Sequence, residues 1–144
     1  MIDYDKCISK GLLIKTFPSG HKAKKSLQKA ERFLKTARLN YESDAYDGSV
    51  IMAYLAVFNA ARSILIKDGY RERSHACVSK YIEKHYVPKK LERKHIMLLD
   101  RYRNLRHADQ YDVGFYAGKE DAKSMMIFAG EFLDIIKKIL NSEP

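Results

Sequence analysis

From His21 to about Tyr41, Leu27, Ala30, Leu34, Ala37 and Tyr41 recur every three or four residues, with Lys and Arg on the opposite side. That period predicts an amphipathic helix, and Ser19 stands where its hydroxyl can cap it. An acidic turn, E-S-D-A-Y-D-G, follows. Residues from Tyr46 to Lys67 are then apolar on nearly every face, and Ala53, Ala56, Ala60 and Ala61 allow neighbouring helices to approach closely. Such a segment predicts a buried central post. Asn59, Arg62 and Ser63 within it, and the lack of a second run of its kind, argue against a membrane span. Gly69 marks its end.

A shorter helix, H-A-C-V-S-K-Y-I-E-K-H-Y, is expected after Ser74 and ends before Pro88, which suits the first turn of the next helix. That helix shows Leu91, His95, Leu98, Leu99, Tyr102 and Leu105 on one side. Asp112-Val113-Gly114 opens a linker to about Lys119. Ala122, Met125, Met126, Ala129, Phe132, Leu133, Ile136, Ile139 and Leu140 then form a single stripe. Residues 1–20 are punctuated by Gly11 and F-P-S-G and read as an N-terminal arm with a short apolar patch at Leu12–Ile14. The pattern holds five helical segments and no strand. The expectation is an all-α fold, an antiparallel up-and-down bundle of four to five helices, with residues 21–144 as the bundle domain.

Charge changes this picture more than composition does. The chain carries 27 Lys and Arg against 18 Asp and Glu, unevenly placed. Residues 1–40 hold ten basic and three acidic side chains, and residues 62–106 hold thirteen and five. Residues 41–61 and 107–144 are net acidic. Clustered positive charge suits RNA, a nucleotide or an acidic protein; a solvated lysine-rich surface has the same composition. Cys7 and Cys77 form no C-x-x-C pair and are expected as free, buried thiols of a cytoplasmic protein. The start of the chain has no apolar run of signal-peptide length. No metal cluster, cofactor fingerprint or glycine-rich phosphate loop is evident, so no cofactor is expected.

The densest chemistry is R-Y-R-N-L-R-H-A-D-Q-Y at residues 101–111. With 3.6 residues per turn, Leu98, Tyr102 and Leu105 define the core side of this helix, and Arg103 and His107 lie together away from it. Arg106 and Arg101 flank the core stripe on its two edges. If the helix holds through residue 107, Arg103 and His107 are the natural pair; if it unwinds near Leu105, Arg101 can reach His107. A guanidinium binds phosphate oxygens through a fixed fork of donors. An imidazole can take a 2′-hydroxyl proton or protonate a leaving oxygen, and such a reaction needs no metal. The same side chains also suit a solvated helix face, or pairing with Asp109 and Asp112. His75, beside Ser74, reads as a capping or core residue.

Several pieces carry a resemblance spanning roughly Ser26 to Leu140. They are K-S-L-Q-K-A-E-R-F-L (25–34), A-Y-D-G-S-V-I-M-A-Y-L-A-V-F-N-A-A-R (45–62), D-G-Y-R-E-R-S-H (68–75) and L-L-D-R-Y-R-N-L-R-H-A-D-Q-Y (98–111). In this order they resemble the HEPN family, particularly small prokaryotic members found beside a minimal nucleotidyltransferase. The resemblance implies a helical bundle that dimerises, with the polar motif facing a cleft between subunits. It also implies metal-independent ribonuclease activity of the toxin type, with four to six residues between an Arg and a His. Arg101 and His107 fit that spacing, whereas Arg103 fits the family's habit of a polar residue after the arginine, here Asn104. In the toxin subgroup a tyrosine two residues after the histidine can be modified by the nucleotidyltransferase. Position 109 is Asp in this chain, and Tyr111 is the candidate nearby. Arg101, Arg103 and His107 are thus the catalytic candidates, and Asn104, Arg106, Asp109 and Tyr111 the candidates for binding RNA or nucleotide. A homodimer and a nucleotidyltransferase antitoxin are the expected partners. The alternative is a non-catalytic nucleotide-binding or structural homodimer module.

Overall fold

In a computed structural model, which describes residues 2–142, the chain is a helical bundle. The bundle helices are α2 (Gly20–Glu42), α3 (Tyr46–Asp68), α4 (His75–Tyr86), α5 (Arg93–Tyr111) and α6 (Lys119–Ser142). The arm adds a one-turn helix, α1 (Tyr4–Ser9), and a short strand, β1 (Leu13–Lys15), which pairs antiparallel with β2 (Tyr70–Glu72). The strand pair corrects the strand-free expectation. Three-residue strands are too short to display alternation, and Leu13–Lys15 reads in sequence only as the edge of an apolar patch.

Helix α3 is the post. Val50, Ala53, Ala56, Val57, Ala60, Ala61, Ile64 and Leu65 are all fully buried. The helix is long and apolar enough to cross a membrane by composition, yet most of its apolar stretch is covered by the surrounding helices. Helix α2 lies along it most extensively, and α6 closes the other side. Buried polar groups on α2 and α3 are satisfied across the seam: Ser26 Oγ donates to Asn59 O (2.8 Å) and Ser49 Oγ to Ala37 O (2.9 Å). The apolar stripe of α6, with Met125, Phe132 and Ile136 fully buried, completes the core. Each such side chain contributes about 1.5–3 kcal/mol by leaving water.

The caps follow the sequence in two places. Ser19 Oγ accepts from Lys22 N (3.1 Å) at the start of α2, and Gly69 ends α3 in the left-handed region, at φ 86°. Gly69 is also a crossing point. A Cβ there would stand 2.8 Å from Thr16 O, and Thr16 N donates to Gly69 O (2.8 Å).

Three expectations need correction. Ser74 precedes α4, but its hydroxyl makes no capping hydrogen bond. Pro88 lies outside α5, in a turn in which Lys90 N and Leu91 N both donate to Tyr86 O (2.9 and 3.1 Å), and α5 begins at Arg93. Cys7 and Cys77 are joined in a disulfide that fixes α1 to α4. The fold brings the start of the arm against the start of α4, although 70 residues separate the two sulfurs in sequence.

Candidate functional site

The polar motif lies on α5, whose first turn is held by Glu92 N donating to His95 Nδ1 (3.0 Å). Its core side is Ile96, Leu99 and Tyr102, with Tyr102 tilted against Phe128 of α6 (5.4 Å between centroids). The helix continues unbroken through Tyr111. The unwinding that would let Arg101 swing toward His107 is therefore not present within the subunit.

The motif divides into two sets. Arg101, Asn104, His107 and Tyr111 are exposed, and the His107 ring rests on Tyr111 (4.8 Å). Among the described residues, neither Arg101 nor His107 makes a side-chain hydrogen bond or ion pair. Arg103, Arg106 and Asp109 instead turn inward and are half-buried. Arg103 Nη1 donates to Asp100 Oδ1 (2.7 Å), which also accepts from Ser79 Oγ of α4 (2.7 Å). The helical phase makes Arg103 and His107 neighbours on α5, but the carboxylate three residues back takes the guanidinium. An opposite charge within hydrogen-bond reach outcompetes an imidazole, which brings no negative charge.

Arg106 reaches a place that periodicity alone does not name. Its guanidinium lies over the ring of Tyr54 from α3 (4.6 Å). Nη1 donates to Gln110 Oε1 (3.1 Å), and Nη2 stands 3.5 Å from Nδ1 of His75. That histidine is neither a cap nor a core residue. It opens α4 on the surface, stacks on Phe58 (3.9 Å between centroids), and its Nδ1 is 3.0 Å from the Tyr54 hydroxyl. On the far side of the group, Arg62 lies over Phe58 (4.9 Å) and is held bidentately by Glu72 of β2 (3.0 and 2.6 Å). Burial, followed by the charge of Arg106, pushes the His75 pKa below its ordinary value. Burial holds the Tyr54 phenol above its own, against the pull of Arg106. His75 closes the D-G-Y-R-E-R-S-H stretch in sequence, and its meeting with Arg106 takes side chains from α3, α4 and α5.

Asp109 faces the loop after α5. Ala117 N donates to both Asp47 Oδ1 (2.8 Å) and Asp109 Oδ1 (3.2 Å), so two carboxyl groups share one donor. Burial, and then Asp47, push Asp109 up to about 7. Its hydrogen bond with Asp109 holds Asp47 below the usual carboxylate range. Asp109 is therefore the proton-bearing half of a carboxyl pair that clasps the 112–118 loop to the start of α3.

Similar proteins agree with this architecture. The HEPN domain profile matches residues 23–139. The chain is 30% identical over 112 residues to "Putative toxin MJ0605" of Methanocaldococcus jannaschii, covering 77% of this chain and 83% of that protein. It is 26% identical over 120 residues to "Putative toxin MJ0142" of the same organism, covering 83% of this chain and 82% of that one. The crystal structure of an archaeal HEPN homologue superposes with a TM-score of 0.63 at 21% identity, over 82% of this chain and 97% of the other, which shows the shared fold. Profile, relatives and fold converge on a single assignment: the chain belongs to the HEPN domain family.

Proposed function

We propose that this protein is a toxin-type HEPN protein that binds RNA through the basic side of α5 and cleaves it without a metal, with His107 as the acid–base group. The observation that carries this reading is the open set on α5. Arg101, Asn104 and His107 present phosphate-binding and proton-transfer groups that are exposed and have no hydrogen-bond or ion-pair partner among the described residues. Two relatives described as toxins support the toxin part. In this reading the arginine facing His107 comes from a second copy of the chain, because Arg103 of the same subunit is engaged by Asp100. Exposed Tyr111, Val113 and Tyr116 at the end of α5 and in the following loop supply apolar surface for such a homodimer. A nucleotidyltransferase is the proposed antitoxin, with Tyr111 the tyrosine it would modify.

Incubation of the purified protein with RNA in EDTA tests this reading. Cleavage that is lost in His107→Ala is expected; absence of cleavage, or cleavage indifferent to His107→Ala, overturns the catalytic part. The paired Arg103–Asp100 also favours a second reading, a module that binds RNA or nucleotide without cutting it. In that case binding is salt-dependent and survives His107→Ala.

A further inference from the structure

Three arginines surround His75, and their charges are not equivalent. Arg62 is neutralised by Glu72 and Arg103 by Asp100, at 2.6 and 2.7 Å. Arg106 has no carboxylate within ion-pair distance among the described residues; it lies on an aromatic face and hydrogen-bonds only neutral groups. Its Nε is buried and has no partner. An arginine held flat by a tyrosine ring, with its charge uncompensated and its side chain only half-buried, is set up to receive an anion.

The protonation of His75 follows from its neighbours. Arg106 can only donate, and the Tyr54 hydroxyl, held in its protonated form, can donate as well. Both contact Nδ1. The arrangement is satisfied when Nδ1 accepts and the ring proton sits on Nε2, which makes no hydrogen bond among the described residues. His75 thus offers an N–H on its open side and has no lone pair free there to act as a base. In the first turn of α4, Cys77 N donates to Ser74 O (3.1 Å), while the N–H groups of His75 and Ala76 beside the imidazole receive no cap from the Ser74 hydroxyl.

We propose that Arg106 and the Nε2–H of His75 together bind one backbone phosphate of RNA, forming a subsite built from α3, α4 and α5 and separate in role from His107. This rests on the polyanion-binding part of the proposed function and not on cleavage. Tyr54 is a positioning residue: it carries the Arg106 guanidinium on its ring and fixes the His75 tautomer through its hydroxyl. Phe58 supports the imidazole from below. His75 binds and does not transfer a proton.

The test combines imidazole 15N NMR with fluorescence anisotropy of a labelled oligouridylate. The free protein is expected to show the Nε2–H pattern at His75, and inorganic phosphate or oligouridylate is expected to shift that signal. Arg106→Gln should abolish the shift and lower the salt slope of RNA binding by about 0.7, the single-strand value for one phosphate. That slope corresponds to about 5-fold weaker binding near 0.1 M salt. His75→Gln, which keeps a donor near the Nε2 position, should lose less binding than a donor-free replacement. His75→Phe, which keeps the stack on Phe58 but has no donor, should weaken binding, and circular dichroism confirms that each variant is folded. An Nδ1–H pattern, or folded His75→Phe and Arg106→Gln that bind oligouridylate unchanged, overturns the subsite and leaves RNA binding standing. If the original chain binds no oligouridylate at low salt, the proposed function fails. The phosphate titration at His75 then decides the subsite by itself, and a still signal overturns it.

Discussion

Replacing Asp109 by Asn should stabilise the protein above neutral pH and do little near pH 5. Asp109 has its pKa pushed up to about 7 by burial and by Asp47. Its folded value therefore exceeds its unfolded one. Between the two, the folded state holds a proton that the unfolded state has lost, and stability falls as pH rises through this window. From pH 5 to the folded value is roughly 2 units, or about 3 kcal/mol at about 1.4 kcal/mol per unit. Solvent screening at this partly exposed site reduces that to about 1–2 kcal/mol. Asparagine fits the same space, keeps an oxygen for Ala117 N and carries no charge. Thermal melts of the two proteins at pH 5 and pH 8.5 read the effect. The variant's melting temperature should gain about 3–6 °C on the original chain at the higher pH relative to the lower. His75, whose depressed pKa makes stability fall as pH drops below about 6.5, titrates in both proteins and cancels from the difference. An equal effect of the substitution at both pH values would refute the shared-proton account of the clasp.

Two further outcomes test the frame. Arg62→Ala removes the fork that grips Glu72, whose side chain is only 7% exposed, and leaves that carboxylate unpaired; urea unfolding should show a loss of about 1–3 kcal/mol, less than for a fully buried pair because Arg62 is partly solvated. Reducing Cys7–Cys77 frees a loop of about 70 residues in the unfolded chain, and the chain-entropy relation sets the loss at up to about 4 kcal/mol. Melts with and without a phosphine reductant should differ by several degrees, and no difference would show that the arm adds nothing through its cross-link.

Legibility in the sequence followed the range of the interaction. The stripes of α2 and α6 and the all-apolar α3 were readable because helix burial repeats locally, and Ser19 and Gly69 act within a few residues of themselves. The edge position of Arg106 was readable for the same reason. What waits at that edge was not, since Tyr54 and His75 arrive from other helices. His75 reads as a core or cap residue because a histidine beside a serine at a helix start says nothing about a cation packed against it from α5. Arg103 shows the limit of phase alone. Periodicity ranks His107 as its neighbour but does not weigh that imidazole against the Asp100 carboxylate. The β1–β2 pair and the disulfide depend on where the arm lands, which no local pattern encodes.

The Cys7–Cys77 bond has a topological consequence. It closes a covalent ring that contains all of α2, α3 and β2, and it ends two residues into α4. His75 belongs to the ring, whereas Arg106, on α5, lies outside it. The two therefore face each other across the boundary between the part of the chain inside the covalent ring and the part outside it. Packing on Tyr54 and Phe58, together with the Ser79–Asp100 hydrogen bond between α4 and α5, sets the gap between them, so a shift of α5 over α3 would change that gap while the ring keeps its shape.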